Sequence, residues 1–438
     1  MAHTSSHKKI PVIIDTDPGV DDVLAILLAL ASPELDIRAI IITFGNTDIE
    51  AAYLNIFKLY QAILRQAQVD PETRKRFCNV SAERPIILVK GADGPLEGEL
   101  HSAQYFHGRD GLSDITNMHP DLNVANVGAD SWPQLILSDQ SGVDVALDII
   151  KSEPARSVTY IVLGPMTTLA HLHRKHGDVL RDRIGRILCM GGALDVPGNT
   201  NAVAEFNFFA DPYAVRELLT PDPPTIGLPL DRFLLVPLDI TTPHEIPFPF
   251  YQTYIDKNFL STKRPSNPDE KLPITHFTSS FLERTREVMI LFGKDAMELH
   301  DIVVVWCAIN NPPEGERVVP DESALPALQT GWAAAPRKFQ IERLGELTRG
   351  MLVVDRRQAE GAYDPGANRA LIQADIEKHG FTYAGVLESA AIPAQVEIEQ
   401  PPSDVLRPAG PGVPVVTTTP GPAALLELLS ERVWGVTV

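Results

Sequence analysis

Cysteine is scarce in this chain: three residues, Cys78, Cys189 and Cys307, among 438. A low, odd count excludes a disulfide framework and fits a reducing compartment. Cys189 and Cys307 stand in apolar runs and are expected in the core. No Cys–His spacing of the zinc-site kind occurs. No apolar run reaches the length of a membrane span, and residues 1–9 have no signal-peptide core. Positive charge is also short: 38 Lys and Arg against 57 Asp and Glu give a net charge of -19. That balance argues against a nucleic-acid surface or an anionic membrane. A neutral or cationic small molecule fits it better. Internal repeats and an evident domain linker are lacking too. The expectation is a cytoplasmic protein without membrane or nucleic-acid partners.

Hydrophobic residues make up 44% of the chain, enough for a large core. The most informative stretch runs from Pro11 to Leu30. Val12 to Ile14 is an apolar run, readable as a buried strand. Pro18-Gly19 then turns the chain, and Val20, Val23, Leu24, Leu27 and Leu28 follow helical spacing. Four carboxylates, Asp15, Asp17, Asp21 and Asp22, crowd that strand–turn–helix junction. The helix dipole accounts for one or two of them. Four like charges raise one another's energy, and a hard cation held by oxygen ligands relieves the repulsion.

Strand and helix signals then alternate. Strands are expected at 35–43, 85–89, 158–163, 187–190 and 234–240, and helices at 48–65, 143–151, from about 167, at 212–219, at 276–291 and from Met297 through Trp306 onward. Two short late strands are expected at 339–342 and 351–354, and a helix at 423–434. This pattern predicts one large α/β domain with a mostly parallel, Rossmann-like central sheet flanked by helices. Residues 1–9 read as a disordered tail, and 66–84, 312–336 and 393–421 as inserted loops.

Polar residues gather after the strand ends. Asn46 lies just past the second strand, where it is either a ligand residue or a helix cap. His107 lies in a long Gly- and His-rich loop and is either a site residue or an exposed loop histidine. Asn199, Glu205 and Asn207 follow the strand that ends at Met190, and they suit either a polyhydroxyl ligand or ordinary turns. His300-Asp301 opens an apolar helix, as a site pair or as a cap beside a bystander histidine.

Taken together, Asp15-Thr16-Asp17-Pro18-Gly19-Val20-Asp21-Asp22, Phe44-Gly45-Asn46-Thr47, His107-Gly108, Gly164-Pro165, Met190-Gly191-Gly192, Gly198-Asn199, Ala204-Glu205-Phe206-Asn207, Leu299-His300-Asp301 and the 345–350 block resemble the inosine-uridine preferring nucleoside hydrolases. The blocks occur in that family's order and span about residues 10–390 plus the closing helix. The resemblance implies a nucleoside hydrolase fold and hydrolysis of ribonucleosides to base and ribose through an oxocarbenium-like transition state. It implies a bound Ca²⁺ held by Asp17, Asp22, Asp301 and the Leu163 carbonyl, with Asp17 as general base. Asp21, Asn46, Asn199, Glu205 and Asn207 would bind the ribose, with Met190 and Phe206 in the pocket. His300 and His107 would sit near the leaving base. A homo-oligomer, dimer or tetramer, is implied as well. Ile302 stands where the family usually has proline, and the three insertions lengthen the chain. Two alternatives share some features: a nucleoside-binding protein without activity, and a Mg²⁺-dependent phosphatase of haloacid-dehalogenase type, suggested by Asp15-Thr16-Asp17.

Overall fold

Alternation along the strands layers this chain. In the computed structural model, which describes residues 9–315, 325–356 and 412–438, Val12 and Ile14 join one hydrophobic layer and Ile13 the opposite one. Ile40 and Ile42 against Ala39 and Ile41 repeat the pattern, as do Leu188 against Ile187 and Cys189. Successive side chains of a strand point to opposite faces, so a strand apolar at every position requires cover on both.

The strands are β1 (Ile10–Thr16), β2 (Leu35–Ile42), β3 (Ile86–Lys90), β4 (Leu135–Leu137), β5 (Val158–Val162), β6 (Ile184–Met190), β7 (Phe233–Val236), β8 (Glu245–Pro247), β9 (Ala296–Glu298), β10 (Ala333–Arg337), β11 (Gln340–Ile341), β12 (Leu352–Val353) and β13 (Val413–Thr418). Nine of them form the central sheet in the order β10-β13-β7-β6-β5-β1-β2-β3-β4. Every pairing is parallel except β10 with β13. β8 with β9 and β11 with β12 make two small antiparallel pairs. One layer of helices includes Val20–Leu30, Ile49–Val69, Pro273–Leu291 and His300–Asn310; the other includes Gly142–Ser152, Thr167–Arg183 and Pro212–Leu219.

β1 has β2 on one side and β5 on the other. The chain leaves β1 toward β2, β3 and β4, then crosses back to β5. Strand order therefore reverses at the carboxyl end of β1, where an open α/β sheet leaves a crevice. The Val20–Leu30 helix packs on the His300–Asn310 helix and is buried everywhere except Asp21. That packing brings the amino ends of two apolar helices, carrying Asp22 and Asp301, to one place.

Several expected boundaries differ. The stretch 66–84 is not a plain loop: the Ile49–Val69 helix runs into it and a short helix, Glu72–Arg76, follows. Of the two later loops, residues 316–324 and 393–411 lie outside the described residues, as do residues 1–8 of the expected tail. The remainder contains β10 and β13, both in the central sheet. Val413, Val415 and Val416 are buried, and Pro414 faces Pro336 across the β10–β13 pair. The strand expected at 234–240 stops at Val236, because Pro237 has no N–H for the ladder, and a helical turn at Leu238–Thr241 follows.

Candidate active site

β1 delivers Thr16 and Asp17 to the crevice, and the turn after it presents Gly19 to Asp22. Asp22 accepts from the Thr16 hydroxyl at 2.5 Å, the Gly19 N–H at 3.0 Å and the Asn46 side-chain amide at 2.8 Å. It thus caps its own helix while closing the loop that follows β1. Asp17 accepts the Asn46 backbone N–H through Oδ2 at 2.8 Å. Its other oxygen, Oδ1, is buried without a hydrogen-bond partner, as is Oδ1 of Asp21. Glycine holds this space open: a Cβ on Gly45 would lie 2.0 Å from Asp17 Oδ2, and one on Gly164 2.7 Å from Oδ1.

Oxygens of Asp21, Asp22 and Asp301 lie within 4.8 Å of one another. Burial pushes the Asp17 and Asp301 carboxyls well above the usual carboxylate range, and repulsion from Asp22 adds to it in both. Burial, then Asp22, raises Asp21 to about 7, against the pull of His300. Orphaned carboxylate oxygens at this density form an all-oxygen donor set that fits a hard divalent cation. Further back, Tyr160 donates to Asp15 at 3.0 Å, and burial lifts Asp15 to about 8.

A cavity of about 440 Å³ opens beside this cluster. Asp21, Asn46, Leu163 and Asp301 line its acidic side. Met190, Asn199, Glu205, Phe206 and Asn207 line a second wall, built by the loop after β6. Glu205 holds that wall rigid, accepting from the N–H groups of Gly192, Asn207 and Phe208. Burial raises the Glu205 carboxyl and these amides oppose the rise. Asn199 braces the same loop through the Phe206 N–H at 2.9 Å. Asn207 donates to the Leu163 carbonyl at 2.6 Å, with the Met190 sulfur 3.5 Å away.

His107 and His300 both line the cavity. His107 is buried and accepts the Val20 N–H at Nδ1, 3.2 Å away. Burial, then repulsion from His300, lowers it to about 3. The ring is therefore neutral near pH 7 and keeps its proton on Nε2. His300 behaves oppositely. Burial disfavours its charge, but Glu298 prevails, aided by Asp21 and Glu205, and its proton affinity rises.

The model of the inosine-uridine preferring nucleoside hydrolases matches residues 12–382. The chain belongs to that family. Over 373 residues it is 27% identical to the pyrimidine-specific ribonucleoside hydrolase RihA of Salmonella arizonae, covering 85% of this chain and 96% of that one. The same-named enzyme of Salmonella enteritidis is 34% identical over 225 residues, 51% of this chain and 60% of that one. Among solved structures, the plant nucleoside hydrolase PpNRh1 superposes with a TM-score of 0.61 at 20% identity, covering 98% of this chain and 99% of that one. An inosine-guanosine nucleoside hydrolase gives 0.61 at 21%, covering 98% of this chain and 100% of that one. Membership in this family sets aside the phosphatase alternative.

The residues picked out in the sequence thus converge on one crevice in this nucleoside hydrolase. Asp17 and Asp22 are enclosed, Asp15 is buried behind them, and the others border the cavity. Sequence reasoning missed Glu298, whose Oε2 lies 3.1 Å from His300 Nε2, and Thr241, 2.8 Å from Nδ1. It also missed the apolar outer wall of Met289, Phe292 and Met297. Glu298 ends β9 and His300 opens a helix two residues later, so no strand or helix period links the two in the sequence.

Proposed function

We propose that this chain hydrolyses the N-glycosidic bond of ribonucleosides, with Asp17 as general base. The observation that carries the reading is the free, buried Oδ1 of Asp17 beside a cavity of nucleoside size. Asp17, Asp22, Asp301 and the Leu163 carbonyl would hold Ca²⁺. When bound, such an ion supplies Lewis-acid polarisation and offsets the repulsion among these carboxylates.

Asp17 Oδ1 takes a proton from the attacking water as its oxygen bonds to C1′ of the sugar. The C1′–N bond breaks, and its electron pair leaves with the base. Positive charge grows on the ribose ring in the transition state, and Asp21 and Glu205 are placed to stabilise it. Asn46, Asn199 and Asn207 orient the sugar hydroxyls. Met190 and Phe206 shape the pocket around the sugar. His300, with its raised proton affinity, lies toward the leaving base. His107 contributes a neutral N–H donor there rather than an acid. The apolar Met289, Phe292 and Met297 give the base a surface to pack on.

The relatives include pyrimidine-specific, purine-preferring and inosine-guanosine enzymes, so base preference is assigned by assay. Release of reducing sugar from inosine, uridine, adenosine and cytidine, with and without chelator, tests the reading. Release that chelation abolishes and Ca²⁺ restores is expected. No release from any of the four, by protein shown to bind Ca²⁺, overturns it. The resemblance further supports a cytoplasmic dimer or tetramer, which sizing in solution checks.

A further inference from the structure

Away from the crevice, a second group of metal-ligating side chains sits where the loop after His107 meets the Pro273–Leu291 helix. His119 follows the Ile115–Met118 turn, Asp121 lies in the next turn, and His276 lies in the first turn of the helix. Donor atoms of these three lie within 4.8 Å of one another. Both histidines are buried, and Asp121 is partly open to solvent, which leaves a path of entry. Glu283, fully buried, stands seven residues after His276, two helical turns along the same face.

Two polar atoms here lack hydrogen bonds. His119 Nε2 and Glu283 Oε2 are buried and face each other only as a loose ion pair, 3.4 Å apart. His276 is already oriented as a ligand: Nδ1 lies 2.9 Å from the Ser266 hydroxyl and Nε2 2.9 Å from Asp121 Oδ2. The Ser266 N–H donates in turn to Glu283 at 2.6 Å. Such outer partners fix the ring of a metal-ligating histidine. Lys271, a cation that bears on both His276 and Glu283, is tied to Asp256 at 2.6 Å. Two imidazoles with carboxylates make a mixed N/O set, which suits zinc-class ions better than Ca²⁺.

We propose that His119, Asp121 and His276, with Glu283 behind them, form a second metal site for a zinc-class divalent cation that fastens the His107 loop to the Pro273–Leu291 helix. The two elements already meet nearby. Ser113 and Thr285 hydroxyls lie 3.1 Å apart, and Asp114 pairs with Arg284. Each also supplies cavity wall, His107 from the loop and Met289 from the helix. A cation here therefore ties two walls of the active cavity together, independently of what occupies the carboxylate centre.

The test uses full-length protein, stripped with chelator and then saturated with Ca²⁺. Zn²⁺ is titrated calorimetrically, and Co²⁺ is added as a visible-absorption probe. Expected is about one high-affinity Zn²⁺ per chain, at least about tenfold weaker in Asp121→Asn and in His119→Gln, with loss of the Co²⁺ bands. Asp121 is partly exposed, so its variant keeps the test decisive if His119→Gln fails to fold. No Zn²⁺ binding by the Ca²⁺-saturated wild type, or undiminished binding in the folded variants, overturns the site. Hydrogen exchange of residues 107–122 should slow on Zn²⁺ addition in the wild type alone. Unchanged exchange in protein that binds Zn²⁺ overturns the fastening role.

Discussion

Oε2 of Glu298 lies 3.1 Å from Nε2 of His300, within a chain of contacts that continues from Glu298 Oε1 to Lys294 Nζ at 2.5 Å. With Thr241 on the other ring nitrogen, His300 is held in one orientation before any substrate arrives. A side chain pinned this way loses little further freedom when it acts.

That contact has a signature in stability. Burial raises the Glu298 carboxyl, but His300 and Lys294 outweigh it and lower the group from 4.5 to about 2. A depressed carboxyl stabilises the fold above its unfolded value, and the contribution fades as pH falls from about 4.5 toward about 2. At neutral pH it amounts to at most about 3 kcal/mol. Urea unfolding of wild type and Glu298→Gln should differ most near pH 7, with the gap shrinking in acid. A difference independent of pH would remove this account of Glu298.

Asp17→Asn keeps the acceptor for the Asn46 N–H and removes the base. Turnover should fall about 10²- to 10⁴-fold. Melting temperature in chelator should hold or rise, because a neutral amide replaces a buried acid whose Oδ1 has no partner and whose charge Asp22 and Asp21 oppose. Near-normal turnover by the folded variant would reassign the base.

Metal binding should release protons. With Asp21 raised to about 7, and Asp17 and Asp301 likewise pushed well above the carboxylate range by burial and mutual repulsion, the chelated protein carries protons near pH 7 that a cation displaces. Calorimetry of Ca²⁺ addition in buffers of different ionisation enthalpy measures them. Identical heats across buffers would contradict a centre built on these carboxylates.

Gly45→Ala should act as an active-site mutation although position 45 has no side chain. The added Cβ would fall 2.0 Å from Asp17 Oδ2, and the backbone there has φ +154. Asp17 must move, so kcat/KM should drop by more than about tenfold. A kinetically silent, folded Gly45→Ala would show that Asp17 tolerates displacement.

Much of the site was legible because its residues sit in short blocks with local logic. Val12–Ile14, Pro18-Gly19 and the helix from Val20 announce a strand, a turn and a helix with four carboxylates at their junction, and the family resemblance singles out Asp17 and Asp22 among them. What escaped depends on distant pairing. Val413–Thr418 contains a proline and follows Gly412, so its local signal is a loop; only burial against the sheet makes it a strand. Leu135–Leu137 is three residues long, too short for a period to register. Glu298 was hidden because Met297–Trp306 reads as one apolar helix start, whereas β9 ends at Glu298 and turns the carboxylate toward His300.

The place of β13 between β7 and β10 sets an order of assembly. A ribosome delivers β7 well over a hundred residues before its neighbour. Until Val413–Thr418 emerges, β7 is a bare edge, and bare edges recruit other strands. Arg432, paired with Glu34 at 2.7 Å, then joins late sequence to early sequence. The nascent enzyme thus spends much of its synthesis with an open flank, a stage at which chaperone cover would matter most.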